Sequence, residues 1–289
     1  MTRSRALAHP FVASATRQGV QVSRSFPRAF ACAVVVLCLL AGAPPAHAQA
    51  GASPPMEEAS FDIWSGTTRL GTEKFRIYTS NDTLIIASTV QLDGTAKDSK
   101  LPYEKRTTFL QRAFDSYPLV FQTVEYKRDS TQMLALNCLF RDTVAVIYRE
   151  IDGRGTGESV ALPPGRLYIL EPGIYLQVQL LVSDFLKGAQ DERRQPVLIP
   201  SAVAVVDLYM KKGPVEGIIV RGKRVDAQRV EITDKLTRLV AWADTEGRMW
   251  RLEAPGQGLK VERGPNLWKT TGAAKKPAPA SAKKPVKKP

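Results

Sequence analysis

The sequence predicts a mainly β protein, either an antiparallel curved sheet or an open, incomplete β-barrel, wrapped around one α-helix. Segments with apolar residues at every second position recur along the chain, which is the period of a strand with one buried face. Turn residues separate these segments at a spacing of roughly 10 to 13 residues, which favours a meander of hairpins over β-α-β units. One apolar segment, at 171–188, has helical spacing instead.

The first strands follow the alternation closely. Phe61 and Ile63 mark the first strand, and Phe75 and Ile77 share one face of the second. The third strand presents Leu84, Ile86, Val90 and Leu92. Further strands are predicted at about 102–114, 119–126, 133–140 and 143–151. Asp and Gly pairs at the joints tolerate tight turns.

The segment 171–188 is predicted to be a buried helix. Pro172 suits a first helical turn, and Gly188 suits a helix end. Ile174, Val178, Leu181 and Phe185 repeat at helical spacing, and further leucines widen the apolar stripe. The alternation over 176–180 would also suit a strand, so that alternative stays open.

After this helix the strand pattern resumes at 203–210, 215–221, 223–232, 236–243, 248–254 and 259–262. Val225 and Ala227 are odd-numbered, whereas Val230 and Ile232 are even-numbered, so a regular strand would place the two pairs on opposite faces. This change indicates either a β-bulge where the sheet bends or an unburied Ala227.

The domain organisation starts with an export leader at 1–48. A basic flank with Arg24 and Arg28 precedes an apolar run at 31–41, and Ala46-His47-Ala48 is a small-residue cleavage site. We expect cleavage after Ala48, with Ala50 as second choice, and a periplasmic or extracellular product. A spacer at 49–57, a single β-rich domain at 58–268 and a disordered Lys/Pro/Ala-rich tail at 269–289 follow.

Loss of the leader restricts the available chemistry. His9 and His47 leave with it, and Cys138 is then the one remaining cysteine. A Ser-His-Asp triad, a Cys-His pair or a zinc site of His and Cys is therefore impossible in the product. We expect no catalytic residues, no metal, no cofactor and no enzyme activity.

Other chemical signals have simpler interpretations. The acidic pairs Glu57-Glu58, Asp191-Glu192 and Asp244 with Glu246 lie at the domain edge or in turns, where solvated surface carboxylates are expected. A carboxylate-based glycosidase would need two of them to converge. The segment 152–157 lacks the Lys-Ser or Lys-Thr of a phosphate cradle and is interpreted as a flexible hairpin connection. Cys138 is interpreted as a small core residue.

The charge is unevenly distributed along the chain. The net charge of +13 includes five leader arginines and seven lysines from Lys269 onward, and without these segments 29 basic residues face 28 acidic ones. A nucleic-acid-binding domain concentrates positive charge on its folded surface, so no nucleic-acid partner is expected. The tail lysines predict contact with an anionic envelope surface, although a merely solvated tail is the alternative: Lys275, Lys276, Lys283, Lys284, Lys287 and Lys288.

Apolar residues on the helix and the strands are candidates to line a cavity between helix and sheet. Trp242 and Trp250 lie on adjacent predicted strands, and ordinary core packing is the alternative for both. The full candidate ligand-binding set is Phe75, Ile77, Val178, Leu181, Phe185, Trp242 and Trp250.

The layout resembles a known group of proteins. An amphipathic strand pair with a Leu70-Gly71 step opens the domain at 61–78, one apolar helix follows at 172–186, and Trp242-Ala243-Asp244 with Glu246-Gly247-Arg248 precedes two final strands. This is similar to uncharacterised exported bacterial β-proteins that themselves resemble the periplasmic lipoprotein carriers, over about residues 58–264.

The resemblance implies an incomplete barrel over a helix that shelters acyl chains, and binding rather than catalysis. The leading hypothesis is therefore an exported protein that binds a lipid or a lipoprotein acyl chain. The alternative is an envelope scaffold attached through its basic tail.

Overall fold

The computed structural model describes residues 55–93, 102–235 and 237–265. The predicted leader, the spacer residues 49–54 and the lysine-rich part of the tail lie outside these ranges. The described chain contains one α-helix, α1 (Tyr175–Lys187), and strands β1 to β15. The strands are β1 (Glu57–Ser65), β2 (Thr68–Ser80), β3 (Thr83–Leu92), β4 (Glu104–Arg112), β5 (Pro118–Tyr126), β6 (Gln132–Arg141), β7 (Val144–Ile151), β8 (Arg154–Ala161), β9 (Tyr168–Ile169), β10 (Glu192–Ile199), β11 (Ala204–Val220), β12 (Lys223–Thr233), β13 (Arg238–Ala243), β14 (Met249–Ala254) and β15 (Leu259–Arg263).

All fifteen strands belong to one sheet with the order β8-β7-β6-β5-β4-β3-β2-β1-β15-β14-β13-β12-β11-β10-β9. Two antiparallel meanders, β1 to β8 and β10 to β15, meet at the antiparallel β1–β15 pair. The short β9 pairs in parallel with β10. Because the two end strands, β8 and β9, do not pair with each other, the described sheet is curved and open and does not close into a barrel.

The sheet buries one face against α1, which we call the inner face. On β2, Phe75 and Ile77 point to the inner face, and the ring of Phe75 lies 5.1 Å from that of Phe61 on β1. The helix contributes Leu176, Leu181 and Phe185, each at most 1% exposed. The predicted mainly β fold around one buried helix is therefore confirmed, and the strand alternative for 176–180 is wrong.

Several boundaries differ from the sequence prediction. The segment 152–157 was predicted as a flexible hairpin connection, but only Asp152 and Gly153 turn the chain, both with positive φ. Residues 154–157 already belong to strand β8. The predicted strands at 203–210 and 215–221 are one long strand, β11, with a register shift between Lys212 and Val215. β10 was not predicted, because it is rich in arginine and contains Pro196.

Part of the outer face is covered by the chain itself. Beyond the register shift, the β11–β12 hairpin at 215–228, which we call the arm, bends over the outer face. The Arg221 guanidinium pairs with Asp62 of β1, and Trp242 Nε1 donates to Glu216 at 2.9 Å. A second apolar cluster of Ile218, Val220, Ala227, Val240 and Trp242 fills the space beneath the arm. Ala227 is 1% exposed, so the parity change in β12 reflects a real bend of the hairpin.

Within the described residues, no helix has both the length and the apolar character needed to cross a membrane.

Candidate functional site

The N-terminus of α1 is capped by a residue from the sheet. Ile174, the N-cap residue, has no side chain able to accept from the free N–H groups of the first turn. Glu73 of β2 supplies the missing acceptor, because its carboxylate accepts from the Tyr175 N–H at 2.7 Å and from the Leu176 N–H at 3.2 Å. Ser88 Oγ on β3 donates to the same carboxylate at 2.6 Å. The helix is thus fixed to the sheet through a fully buried acid.

Burial dominates the ionisation of Glu73. Loss of water destabilises the charged form and raises the pKa of Glu73 from 4.5 to about 7, although the hydrogen bonds from Ser88, Tyr175 and Leu176 act in the opposite direction. A group with this pKa changes charge near neutral pH. Glu73 is therefore a titrating contact between α1 and β2.

A buried ion cluster fixes the segment before the helix. Lys105 Nζ on β4 lies 3.0 Å from Glu171 and 2.9 Å from Glu125, and donates to the Pro172 carbonyl at 2.9 Å. Burial alone would lower the pKa of Lys105, but the two carboxylates outweigh it and raise that pKa. The second oxygen of Glu171 accepts from the Ser201 N–H at 3.1 Å. The cluster therefore joins β4, β5, the helix approach and the turn after β10.

A third polar cluster ties the helix to the β1–β15 pair. Gln179 Oε1 accepts from Arg263 Nη1 at 2.9 Å and from the Met249 N–H at 3.2 Å. Its Nε2 donates to Glu57 at 3.2 Å, and Glu57 also pairs with Arg263. These contacts reach β1, β14 and β15 and hold the N-terminal half of α1 in place.

A cleft of about 180 Å³ lies beside the C-terminal half of α1. Its walls are the helix, the inner face of β3 and β4, and the segment 166–169. Its apolar lining is Leu84, Phe109, Leu167, Ile169 and Leu180. Polar groups surround this lining: Gln111, Ser116, Arg166, Tyr168, Gln177, Ser183, Asp184 and Lys187. The arrangement of an apolar floor with a few polar groups is typical of small-molecule sites.

Gln177 gives this cleft a free donor. Its Oε1 accepts from the Glu171 N–H at 2.6 Å, while its Nε2 is buried and has no hydrogen-bond partner among the described residues. The side chain is 3% exposed. A buried amide N–H without a partner costs about 1–3 kcal/mol, so an acceptor brought by a ligand would be stabilised there.

The cleft mouth carries a fixed ion network. Asp184 of α1 pairs with Arg166 and, at 3.1 Å, with Arg193 of β10. Arg166 Nη2 also donates to Ser116 Oγ at 2.9 Å. Exposed Lys187 adds a third positive charge, at the end of the helix. The excess of cationic groups favours a ligand whose polar end is neutral or anionic.

The predicted cavity lining is only partly reproduced. Phe75, Ile77, Leu181 and Phe185 lie together in the main core. None of them lines the cleft beside α1 or the smaller cavity beside Glu171. Val178 does line one, a space of about 20 Å³ beside Glu171, which has room for about one water.

The two tryptophans require a correction. Trp242 lies in the second cluster beneath the arm, and Trp250 packs against that same cluster. In the structure, Leu239 and Ala241 of β13 face the helix, so Trp242 faces away from it.

The acidic pairs each have their own partners. Glu57 is not a solvated edge residue but part of the Gln179–Arg263 cluster, and Glu58 pairs with Arg76. Asp244 accepts from the Arg248 side chain and from Trp250 Nε1, at 2.9 and 3.0 Å, which stabilises its turn and lowers its pKa despite partial burial. Among the described residues, no group of three or more His, Cys, Asp or Glu is placed to hold a metal ion.

Cys138 is a fully buried core residue on β6, as predicted. Burial raises the pKa of its thiol, and the charge of Glu171 acts in the same direction. The thiolate needed for nucleophilic chemistry is therefore suppressed.

The sequence analysis missed Glu73, Lys105 and Glu171. A signal for two of them was present in the alternation of the strands. Glu73 lies on the same strand face as the apolar Phe75, and Lys105 lies on the same face as Phe109. A charged residue at an apolar position of a strand predicts a buried, partnered group. No periodic signal marks Glu171 or Gln177, since their roles depend on how α1 is placed.

Comparisons with known proteins add a fold likeness. No family model matches the sequence, and no curated protein matches it. The chain is similar to a solved structure from Brucella abortus, described as a β-barrel-like protein of domain of unknown function DUF1849. The identity is 11% and the TM-score 0.44, over 73% of this chain and 96% of that one.

Proposed function

We propose that the protein is an exported, non-enzymatic binding protein that takes the end of an apolar chain into the cleft beside the C-terminal half of α1. The observation that carries this proposal is the cleft itself, with its apolar floor. The leader pattern at 1–48 supports export, and the lack of histidine after residue 48 supports binding over catalysis.

The size of the cleft limits the ligand. At about 30 Å³ for a water-sized group, 180 Å³ accommodates about six such groups. This is less than the roughly 300–1,000 Å³ of a site for a drug-sized molecule. The cleft therefore fits a short chain, or the end of a longer acyl chain whose remainder stays outside.

The polar clusters support a stationary helix. Glu73 and Gln179 fix the N-terminal half of α1 to β1, β2, β14 and β15, and the ion cluster of Lys105 and Glu171 fixes the segment just before it. The tight packing of Leu181 and Phe185 leaves no room for an acyl chain under the helix. A ligand is therefore expected along the side of the helix, between Leu180 and Leu84, rather than beneath it.

The experiment is a calorimetric titration with saturated fatty acids of increasing length, from acetate to palmitate. We expect affinity to rise by up to roughly tenfold for every two added methylenes until the cleft is full near six to eight carbons, and then to level off. Leu84→Trp, which fills the cleft from β3, should weaken binding at least tenfold. Leu110→Trp on β4 is the matched control, because Leu110 does not line the cleft.

Mass spectrometry of an organic extract tests the proposal independently. Protein purified from its own compartment should release an amphiphile, and that molecule should be recovered chemically unchanged after incubation with the protein. If no fatty acid binds and the extract is empty, the binding proposal is wrong. If the extracted molecule is converted, the non-enzymatic part is wrong.

A further inference from the structure

In the sheet formed by the described residues, one edge is the eight-residue strand β8. Every residue of β8 except Val160 is exposed, and β8 pairs with β7 along its whole length without a register shift. It carries no proline, lysine or bulge, which are three of the features that protect an edge strand from pairing. Its two charged residues, Arg154 and Glu158, would oppose pairing with most strands but have opposite signs. The opposite edge, β9, is only two residues long.

The hydrogen-bonding register identifies the free backbone groups. Leu162 N–H donates to the Thr143 carbonyl, in the register that pairs Val144 with Ala161. Because bonded and unbonded residues alternate along an antiparallel strand, the even-numbered residues of β8 bond to β7. The odd-numbered residues Gly155, Gly157, Ser159 and Ala161 therefore turn their N–H and C=O groups toward the open edge.

The side chains on this strand are self-complementary. Arg154, Thr156 and Glu158 lie on the inner face, since Glu158 is opposite the buried Ile147. Neither Arg154 nor Glu158 has a hydrogen-bonding or ionic partner among the described residues. Their spacing is symmetric about Thr156.

We infer that β8 is the docking edge for a second copy of this chain, which pairs antiparallel with its own β8 about a two-fold axis at Thr156. In this register Gly155 of each copy is opposite Gly157 of the other, and both have free backbone groups. Arg154 of each copy is opposite Glu158 of the other, in the pair type where side chains approach most closely. A shift of the axis to Gly157 or to Glu158 would separate the opposite charges.

Two further features fit this edge pairing. The outer face of β8 carries glycines and a serine, so no bulky side chain obstructs a neighbouring strand there. A Cβ at Gly155 would meet no atom within 4 Å, so the position can be substituted without disturbing the protomer. The result is one continuous sheet across the dimer, with two opposite-charge contacts at its centre.

Sedimentation velocity of the full chain, as processed by the cell that makes it, tests the inference. The wild type should have twice the protomer mass at micromolar concentration. Arg154→Glu and Glu158→Arg should each weaken self-association by roughly tenfold or more, because both central contacts become repulsive. The double variant R154E/E158R should restore the dimer. Gly155→Pro, which removes an edge N–H that β7 does not use, should abolish it.

Glu150→Arg on the neighbouring strand β7 is the matched control. Glu150 is exposed, and its reversal should leave the dimer intact. Circular dichroism identifies any variant that has lost its fold. If Gly155→Pro is one of them, the reversals at the exposed Arg154 and Glu158 and their double variant carry the test. A monomeric wild type, or a dimer that survives both single reversals and the proline, would overturn the inference. So would a monomer whose β8 amides are protected from hydrogen exchange by another part of the chain.

Discussion

The buried carboxylate of Glu73 predicts a contribution to the free energy of unfolding that is lost as the pH rises toward neutral. The folded chain holds the Glu73 proton up to a pKa of about 7, whereas the unfolded chain releases it near 4.5. Between these values the folded state binds more protons than the unfolded state, so the free energy of unfolding falls as pH increases. The penalty is absent below about pH 4.5 and complete above about pH 7.

The magnitude follows from the two pKa values. At about 1.4 kcal/mol per pH unit, the difference corresponds to about 3 kcal/mol. Glu73→Gln removes the titration but retains the acceptor for the Tyr175 and Leu176 N–H groups, and its amide can donate to Ser88 Oγ. Relative to this variant, the wild type should therefore lose about 3 kcal/mol of stability between pH 4 and pH 8.

Urea unfolding of wild type and Glu73→Gln at half-unit pH steps measures this difference, because every other titrating group contributes equally to both proteins. Glu150→Gln, a substitution at an exposed position of β7, controls for the loss of one carboxylate. Parallel stability curves for wild type and Glu73→Gln would refute the reasoning. A wild type that gains stability relative to Glu73→Gln over the same pH range would mean that the hydrogen bonds at the helix N-terminus outweigh burial.

Three further predictions concern other parts of the chain. Lys105→Met should destabilise the fold by about 3–5 kcal/mol in urea unfolding, because it leaves Glu171 buried without its cation, and Lys105→Met combined with Glu171→Leu should recover much of that loss. Gly71→Ala should cost about 1–3 kcal/mol or more, because the added Cβ would lie 2.1 Å from the Gln91 carbonyl oxygen, and a scan of the melting temperature would detect it. Deletion of residues 275–289 should abolish binding to anionic phosphatidylglycerol vesicles at low salt and change nothing on neutral vesicles; equal binding with and without the tail would contradict an electrostatic role for it.

The strand alternation and the helical stripe were sufficient to predict the fold class. They are readable in the sequence because each records a buried face, as Phe75 and Ile77 do on β2. The pairing of β1 with β15 could not be predicted from a local pattern, because it joins residues about 200 positions apart in the sequence. Strands without an apolar face were missed for the same reason, with β8 as the clearest example.

The candidate site was less predictable than the fold. The alternation of apolar residues along a strand identifies which residues are buried. It does not identify which of the buried residues leave a cavity between them. The cleft exists because Leu84, Phe109 and Leu180 do not meet, and that depends on the angle of α1 over the sheet. The helix angle is fixed by Glu73 and Gln179, whose partners lie on distant strands.

The pairing of β1 with β15 has a consequence for the order in which the sheet folds. Among the described strands, β1 and β15 alone pair one meander with the other. Glu57 with Arg263, and the Gly264 N–H bound to the Ser60 carbonyl, stabilise this pairing. Each meander can assemble from local hairpins, but they can be joined only when the last strand has been delivered. A chain truncated just before Leu259 would thus remain two separate half-sheets. A short peptide that joins the two ends of the domain would make the backbone of the fold circular.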